Sequence, residues 1–402
     1  MNRRATLRGG AVLLILVAGF VAGLYADQAY PEYMPYIGQR SVGGISLTEA
    51  QEAARLIQAR YVNTNIDTSK LSHGSVQGMI SAINAQGDPF TAYFDPAAYK
   101  RLQESYQGKY SGIGIYLSFG TGYPLITATV AGSPAATAGL QKGDQITRVG
   151  SKDVKGVTGD QATALIQGAD GTKVTLTILR GGQTLTFTIT RAEIQVPTVR
   201  SALIADHVLY VRIYQFGSQT SSEFKSALTT GLPGTTGIVL DLRSNPGGFT
   251  SAADDVITQF VASGETFETH GRGGAVDKHQ VGSQHLAPTE ALVVLVDANS
   301  ASASEITAGS LQVHHRAKLV GTVTFGKGSV QQDFELSDGA DIHLTVERWF
   351  LPNGQTIDHK GLTPDETVTL ANATDQFDVT QLAAGYAKDT QLNAALALLA
   401  SG

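Results

Sequence analysis

Four short apolar runs fix what the middle of this chain can become: "HVLYVRI" (207–213), "GIVLDLR" (237–243), "ALVVLVDA" (291–298) and "AKLVGTV" (317–323). Each is nearly unbroken by polar residues, so each reads as a strand buried on both faces rather than one with a wet side. Helical stretches such as "TSAADDVITQFV" and "SEITAGSLQV" lie between them. Strands of this type alternating with helices predict an α/β core, here from about Ile194 to residue 370, with a further β stretch in "ADIHLTVERWFLPNGQTI" and a helical tail from about 371.

The pattern before Ile194 is different. "SLTEAQEAARLIQARYV" has helical spacing with Ser46 or Thr48 as its cap, and opens a helical N-terminal region over residues 27–107. Asp88-Pro89 and Asp95-Pro96 are expected to stop helices there. Residues 108–193 then hold "GIGIYLSF", "LITATV", "GDQITRVG", "KVTLTILRGG" and "QTLTFTIT", short β-branched runs parted by glycine turns, with two helical pieces, "SPAATAGL" and "TGDQATALIQG". This is a compact β-rich module.

At the N-terminus, Arg3, Arg4 and Arg8 precede "GGAVLLILVAGFVAGLYA", and Asp27 ends the run. That length is near the lower limit for a membrane-spanning helix, and basic residues before it hold the N-terminus in the cytoplasm and put the rest outside. Leu24 suits a signal peptidase poorly, which favours an uncleaved anchor over residues 1–26. The net charge of −6 is spread along the chain and no basic stretch carries interleaved aromatics, so a nucleic-acid partner is excluded. The absence of cysteine excludes a disulfide framework, a thiol nucleophile and a zinc–cysteine site.

The strand "ALVVLVDA" runs directly into "NSASASEITAGSL", which puts Ser300, Ser302 and Ser304 on a strand-to-helix turn. Unpaired N–H groups at a helix start can hold an oxyanion, so the turn suits a nucleophile, although any of the three serines could simply cap the helix. A nucleophilic serine needs a base. His314 and His315 lie about three turns down the helix, too far to serve. His270, His279 and His285 sit in a glycine-rich stretch without a zinc-ligand spacing. The other candidate is Lys327 in "VGTVTFGKGSVQQDF", whose apolar and glycine neighbours would desolvate it and lower its pKa.

The combination Ser-Ala-Ser-Ala-Ser-Glu followed by Phe-Gly-Lys-Gly-x-Val-Gln resembles the carboxyl-terminal processing peptidases, or tail-specific proteases. The resemblance implies that Ser302 is the nucleophile, Lys327 the base and Gln331 the residue that orients it. "GIVLDLRSNPGG" is similar to the family segment that completes the oxyanion hole, so Gly247 or Gly248 would share that task with the N–H of Ala303. Asp241 and Arg243 read as anchors of that turn, and Glu305 as a partner of the helix dipole. "YSGIGIYL" and "GSPAATAGLQKGDQITRVG" resemble a PDZ domain. Its peptide site would comprise Gly112, Ile113, Gly114, Ile115 and Leu117, with Leu165 and Ile166 on the opposite wall. One departure stands out: many members carry an aspartate where this chain has Val313.

The expectation is therefore a multidomain α/β protein: a helical N-terminal region, a PDZ domain and a serine peptidase core with a helical tail. It would be an extracytoplasmic, membrane-anchored endopeptidase acting on protein or peptide tails with free, small or apolar C-termini, without metal or cofactor. The resemblance also admits a homodimer and a regulatory protein. Two rivals stand beside it: a PDZ adaptor that binds tails of exported proteins without cutting, and a Ser-His-Asp protease using a distant histidine.

Overall fold

The computed structural model describes residues 46–401, apart from 120, 121, 131, 205, 206, 373, 374, 378, 380, 381, 383 and 384. The expected membrane segment, residues 1–26, lies outside the described residues. The chain divides into two compact units, the first ending at Met79 and the second beginning at Ile80. In the first, α1 (Thr48–Arg60) buries none of its residues, and its cap position is Leu47, with the Ser46 hydroxyl accepting from the Thr48 N–H. Helix α2 (Thr68–Asn84) runs across the division.

The second unit opens with β1 (Ala92–Phe94) and α3 (Pro96–Tyr106). Asp95-Pro96, expected to stop a helix, starts this one. The Asp95 carboxylate accepts from the Ala98 N–H at 2.7 Å, and proline at the first helical position has no N–H to leave unpaired.

The β-rich module follows as β2 (Lys109–Gly112), β3 (Ile115–Ser118), β4 (Leu125–Thr129), α4 (Pro134–Ala138), β5 (Gln145–Val149), β6 (Lys152–Asp153), α5 (Gly159–Ile166), β7 (Lys173–Arg180), β8 (Gln183–Thr190) and β9 (Ala192–Gln195). Its main sheet runs β3-β4-β5-β7-β8, and β2 pairs antiparallel with β9 to join the ends of the module. Ile126, Ile146, Leu176 and Ile178 fill its core. The sequence reads "GIGIYLSF" as one strand. The structure breaks it at Ile113 and Gly114, because Gly114 has φ +81° and the Ile113 carbonyl is drawn off to the Ala135 N–H at 2.8 Å.

The rest is β10 (Val199–Ile204), β11 (Val208–Ile213), α6 (Thr220–Gly231), β12 (Gly237–Asp241), α7 (Thr250–Thr258), β13 (Glu265–Gly271), β14 (Val276–Gln280), β15 (Leu292–Val296), α8 (Ala303–Val313), β16 (Lys318–Gly321), β17 (Ser329–Glu335), β18 (Asp341–Phe350), β19 (Glu366–Thr367) and α9 (Thr390–Ser401). One sheet runs β10-β11-β12-β15-β16-β19, parallel except for β10. Alternate residues of its strands enter two separate cores. Leu209 and Val211 pack on the side of α6, α7 and α8, while Val208 and Tyr210 pack on the side of α9. Every residue of β12 and β15 is buried, as their unbroken apolar runs require. In a second sheet, β18 pairs with β17 on one edge and with β1 and β13 on the other. The loop from β16 to β17 carries Lys327, and the loops after β12 and β15 carry the two glycines and the serines, which places the motifs around the carboxyl ends of the parallel strands.

Candidate active site

The three serines of the turn after β15 divide by what their hydroxyls do. Ser300 Oγ donates to the Leu242 carbonyl at 2.8 Å and Ser304 Oγ to the Asn245 carbonyl at 2.9 Å. Both therefore bind the turn to the end of β12. Ser302 is set apart by its backbone, with φ 54° and ψ −117°, a region that glycine tolerates and a side-chain-bearing residue does not readily adopt. Such strain persists only where the surroundings enforce it, and it concentrates at functional positions. Here it holds Ser302 at the mouth of α8, 9% exposed, beside the N–H of Ala303, the first residue of that helix.

What enforces it is Glu305. This residue is fully buried, and its carboxylate accepts from four donors. Oε2 takes the backbone N–H of Ser302 and of Lys327, both at 2.9 Å. Oε1 takes the Gly326 N–H at 2.7 Å and the Thr324 hydroxyl at 2.5 Å. Burial pushes the Glu305 carboxyl up, and these hydrogen bonds pull it back. Sequence reasoning reads Glu305 as a dipole partner of its own helix. The structure assigns it a larger task, because one carboxylate fixes the serine turn and the lysine loop to each other.

The Lys327 loop is pinned from several sides. The Trp349 indole N–H donates to the Lys327 carbonyl at 2.8 Å, Asp358 accepts from the Gly328 N–H at 3.0 Å, and Phe325 N–H donates to the Ser300 carbonyl at 3.0 Å. The lysine side chain is half-buried, with Nζ 5.0 Å from the centre of the Phe90 ring. Burial pushes the Lys327 ammonium below its ordinary value, against the opposing charges of Asp88 and Glu305. The segment "GDPF" thus reaches the lysine, which sequence reasoning treats only as turn material. Gln331 donates its amide N–H groups to Ser329 at 2.9 Å and Thr345 at 3.0 Å, and Thr345 donates to Asp88 at 3.1 Å. It reaches the lysine's surroundings through that chain of contacts.

Gly247 lies against the serine, and Gly248 against the backbone of Phe216. The Gly247 N–H donates to Asn245 Oδ1 at 2.9 Å and is thereby engaged within its own turn. A Cβ on Gly247 would come within 2.7 Å of the Ala301 carbonyl oxygen and 2.8 Å of Ser302 Cβ, at a φ of +99°. Gly247→Ala should therefore displace the serine turn. We expect kcat/KM to fall roughly 100-fold, the cost of an ångström-scale misplacement, together with a lower denaturation midpoint. Unchanged peptide cleavage by this variant would show that the close approach has no bearing on the reaction.

In the β-rich module, β3 is an edge strand, paired among the described residues only with β4. Gly114 is required where it stands, since a Cβ there would meet Ser133 Cβ at 2.3 Å. Ile113 is 1% exposed and belongs to the module's core, so it can offer a peptide its backbone but not its side chain. Ile115, Leu117 and Leu165 are partly buried at the edge of that core, whereas Ile166 is inside it. Gly112 ends β2, opposite Ala192 of β9.

Comparison with known proteins matches two parts of the chain to families. Residues 207–368 match peptidase family S41 and residues 125–180 match the PDZ domain family. The carboxyl-terminal-processing protease of Synechocystis sp. is 35% identical over 361 residues, which span 86% of this chain and 81% of that protein. This chain belongs to the carboxyl-terminal-processing proteases. The processing protease CtpA of Bacillus subtilis is 33% identical, over 82% of this chain and 70% of its own length. The solved photosystem II D1 C-terminal processing protease shares the fold with a TM-score of 0.51 and 26% identity, over 87% of this chain and 92% of that one. Membership bears out the family reading, the multidomain α/β fold and the assignment as a serine protease with a PDZ domain.

As a member of the processing proteases, the chain keeps its other expected residues in structural work. Arg243, buried, bridges Asp241 at 2.6 Å and Asp389 at 2.9 Å, tying the end of β12 to the start of α9. Val313 packs against the core on the α8 side, so no acid acts from that position. Among the described residues no hydrogen bond joins a histidine to Ser302. His314 instead holds the Glu265 carbonyl, and His279 and His343 hold Asp254 and Asp333.

Proposed function

We propose that this protease cleaves exported proteins by recognising their free C-termini in the PDZ domain, with Ser302 as nucleophile and Lys327 as base. The observation that carries the proposal is the buried Glu305 carboxylate, which accepts from the backbone N–H of both residues at 2.9 Å. Neutral Lys327 takes the proton of Ser302 as Oγ attacks the scissile carbonyl. The oxyanion is held by the N–H groups of Gly248 and Ala303, and the lysine returns the proton to the leaving amine as the C–N bond breaks. Water then hydrolyses the acyl-enzyme. The substrate's last residues would add a strand to the open edge of β3, with its carboxylate on the loop of Gly112, Ile113 and Gly114 and its terminal side chain toward Ile115, Leu117 and Leu165. Gln331 would steady the lysine through Ser329 and Thr345.

The same proposal places the protein on the outer face of a bacterial membrane, held by residues 1–26. Among the described residues no helix is long and apolar enough to cross a membrane. Exposed Leu56 and Ile57 on α1 are suited to a homodimer contact, and a separate regulatory protein completes the expected partners.

The test is cleavage of one unstructured peptide with an apolar C-terminus beside its C-terminally amidated twin. The free acid should be cut with a kcat/KM at least about ten-fold higher, since the amide forfeits a charge-assisted contact. Binding of the free tail without cleavage would instead support the adaptor reading. The pH profile carries a second expectation. A lysine base works only when neutral, so kcat/KM should rise with pH as Lys327 loses its proton, and the limb should lie below the ordinary lysine value because burial lowers this one. A histidine base would place the limb near about 6.5 and leave it there in Lys327→Ala.

A further inference from the structure

A second cluster of ionisable groups lies on the sheet that includes β17 and β18. Asp333 on β17 stands directly opposite His343 on β18. Asp341 precedes His343 by two residues, and residues two apart on a strand share a face, so all three side chains belong to one side of the sheet. One nitrogen or oxygen from each lies within 4.8 Å of the other two. His343 Nδ1 meets Asp333 Oδ1 at 2.5 Å.

Asp341 is the unusual member. It is 0% exposed, and neither of its carboxylate oxygens has a hydrogen-bond partner. The Phe334 N–H of β17 is the backbone donor turned toward it. A buried carboxylate without a partner is costly. Asp333 adds to that cost, and the tyrosines of α3 toward which these charges extend, Tyr99 and Tyr106, supply no cation.

We propose that Asp333, Asp341 and His343 bind one divalent transition-metal cation of the zinc type. Two carboxylates and one imidazole match the mixed oxygen and nitrogen preference of zinc in a four-coordinate site, with water as the fourth ligand. Calcium and magnesium call for more oxygen ligands than two side chains supply. Zinc bonds of about 2.0–2.2 Å put ligand atoms about 3.3 Å apart, so small side-chain rotations from the present spacing suffice, and the register of β17 with β18 is kept. The ion would replace the direct contact of His343 with Asp333 and give Asp341 its missing partner. No ligand spacing in the sequence predicts this site, because pairing of two strands assembles it.

The location gives the site a use. Asp333 lies two residues beyond Gln331 on β17, on the same face, and Gln331 reaches Thr345 and through it Asp88. The cation would join β17 to β18 beside the contacts that surround Lys327, as a structural clamp rather than a participant in cleavage. The proposal stands apart from the assignment of Ser302 and Lys327, and its test reads binding rather than activity.

The purified full-length chain, stripped with chelator and dialysed, would be titrated with zinc chloride by calorimetry beside Asp341→Asn, His343→Gln and Asp333→Asn, with magnesium chloride as control. We expect one zinc per wild-type chain, binding weakened at least ten-fold in each variant that retains its far-ultraviolet circular dichroism, and no magnesium binding. Asp333 is half-buried, so its variant keeps the test open if Asp341→Asn fails to fold. Equal zinc binding by the wild type and the folded variants would assign the ion to other histidines and overturn the proposal. Absence of binding by a folded wild type would overturn it too, leaving a proton as the occupant of Asp341.

Discussion

Ser302→Ala and Lys327→Ala should each lower peptide cleavage by roughly 10⁴-fold to 10⁶-fold, and the double variant should be no worse than the poorer single one. The two residues would act on one proton in one step, so removing either removes the step. What remains is the contribution of binding and of the Gly248 and Ala303 N–H groups, which do not need the pair. Neither substitution should disturb folding much. Ser302 is only a small side chain at the helix mouth, and the contacts that hold the lysine loop in place use its backbone: the Lys327 N–H to Glu305 and the Lys327 carbonyl to Trp349. Circular dichroism and a denaturant melt would check the fold, and a fluorogenic peptide would give kcat and KM separately. An active Lys327→Ala would sink the lysine assignment and restore the histidine rival. Loss of cleavage together with loss of the fold would point to a structural effect, and Lys327→Met, which keeps most of the side chain's apolar length, would then separate the two.

Much of this site was legible before any coordinates, and for unequal reasons. Ser302 and Lys327 stand in short contiguous motifs, so a resemblance could single them out as candidates where local chemistry left three serines and several bases open. That the Gly247 N–H is engaged was not legible, because it depends on the Asn245 side chain folding back onto it. The role of Glu305 was hidden for a similar reason. Three of its four donors come from a loop that begins nineteen residues away, at Thr324, and their approach depends on how β15 and β16 pair. A helix dipole argument sees only the first turn. Asp95-Pro96 was misread because the same dipeptide can close one element or cap the next, and the Asp95 contact with Ala98 decides between them. Ile113 shows the limit of alternation: a glycine at φ +81° beside it breaks the strand, and the side chain turns into the core.

The second large effect is expected at Glu305. Glu305→Ala takes the acceptor from the Ser302, Gly326 and Lys327 N–H groups and the Thr324 hydroxyl together. Buried donors left without partners cost about 1–3 kcal/mol each, and partial access of water to the cavity should hold the total to about 3–5 kcal/mol. Glu305→Gln is the sharper experiment because it keeps size and shape. Its carbonyl oxygen can serve one side of the present arrangement, but its NH₂ group must face N–H donors on the other. One of the two loops has to move. We therefore expect Glu305→Gln to stay folded with a smaller loss of stability and to lower kcat/KM roughly 100-fold or more, the cost of misplacing a reacting group by about an ångström. The loss should fall on kcat rather than KM, since the PDZ groove is untouched. If Glu305→Gln cleaves like the wild type, the carboxylate is only a partner of its own helix dipole, and alignment of Ser302 with Lys327 must come from the Phe325 to Ser300 hydrogen bond and the packing around it.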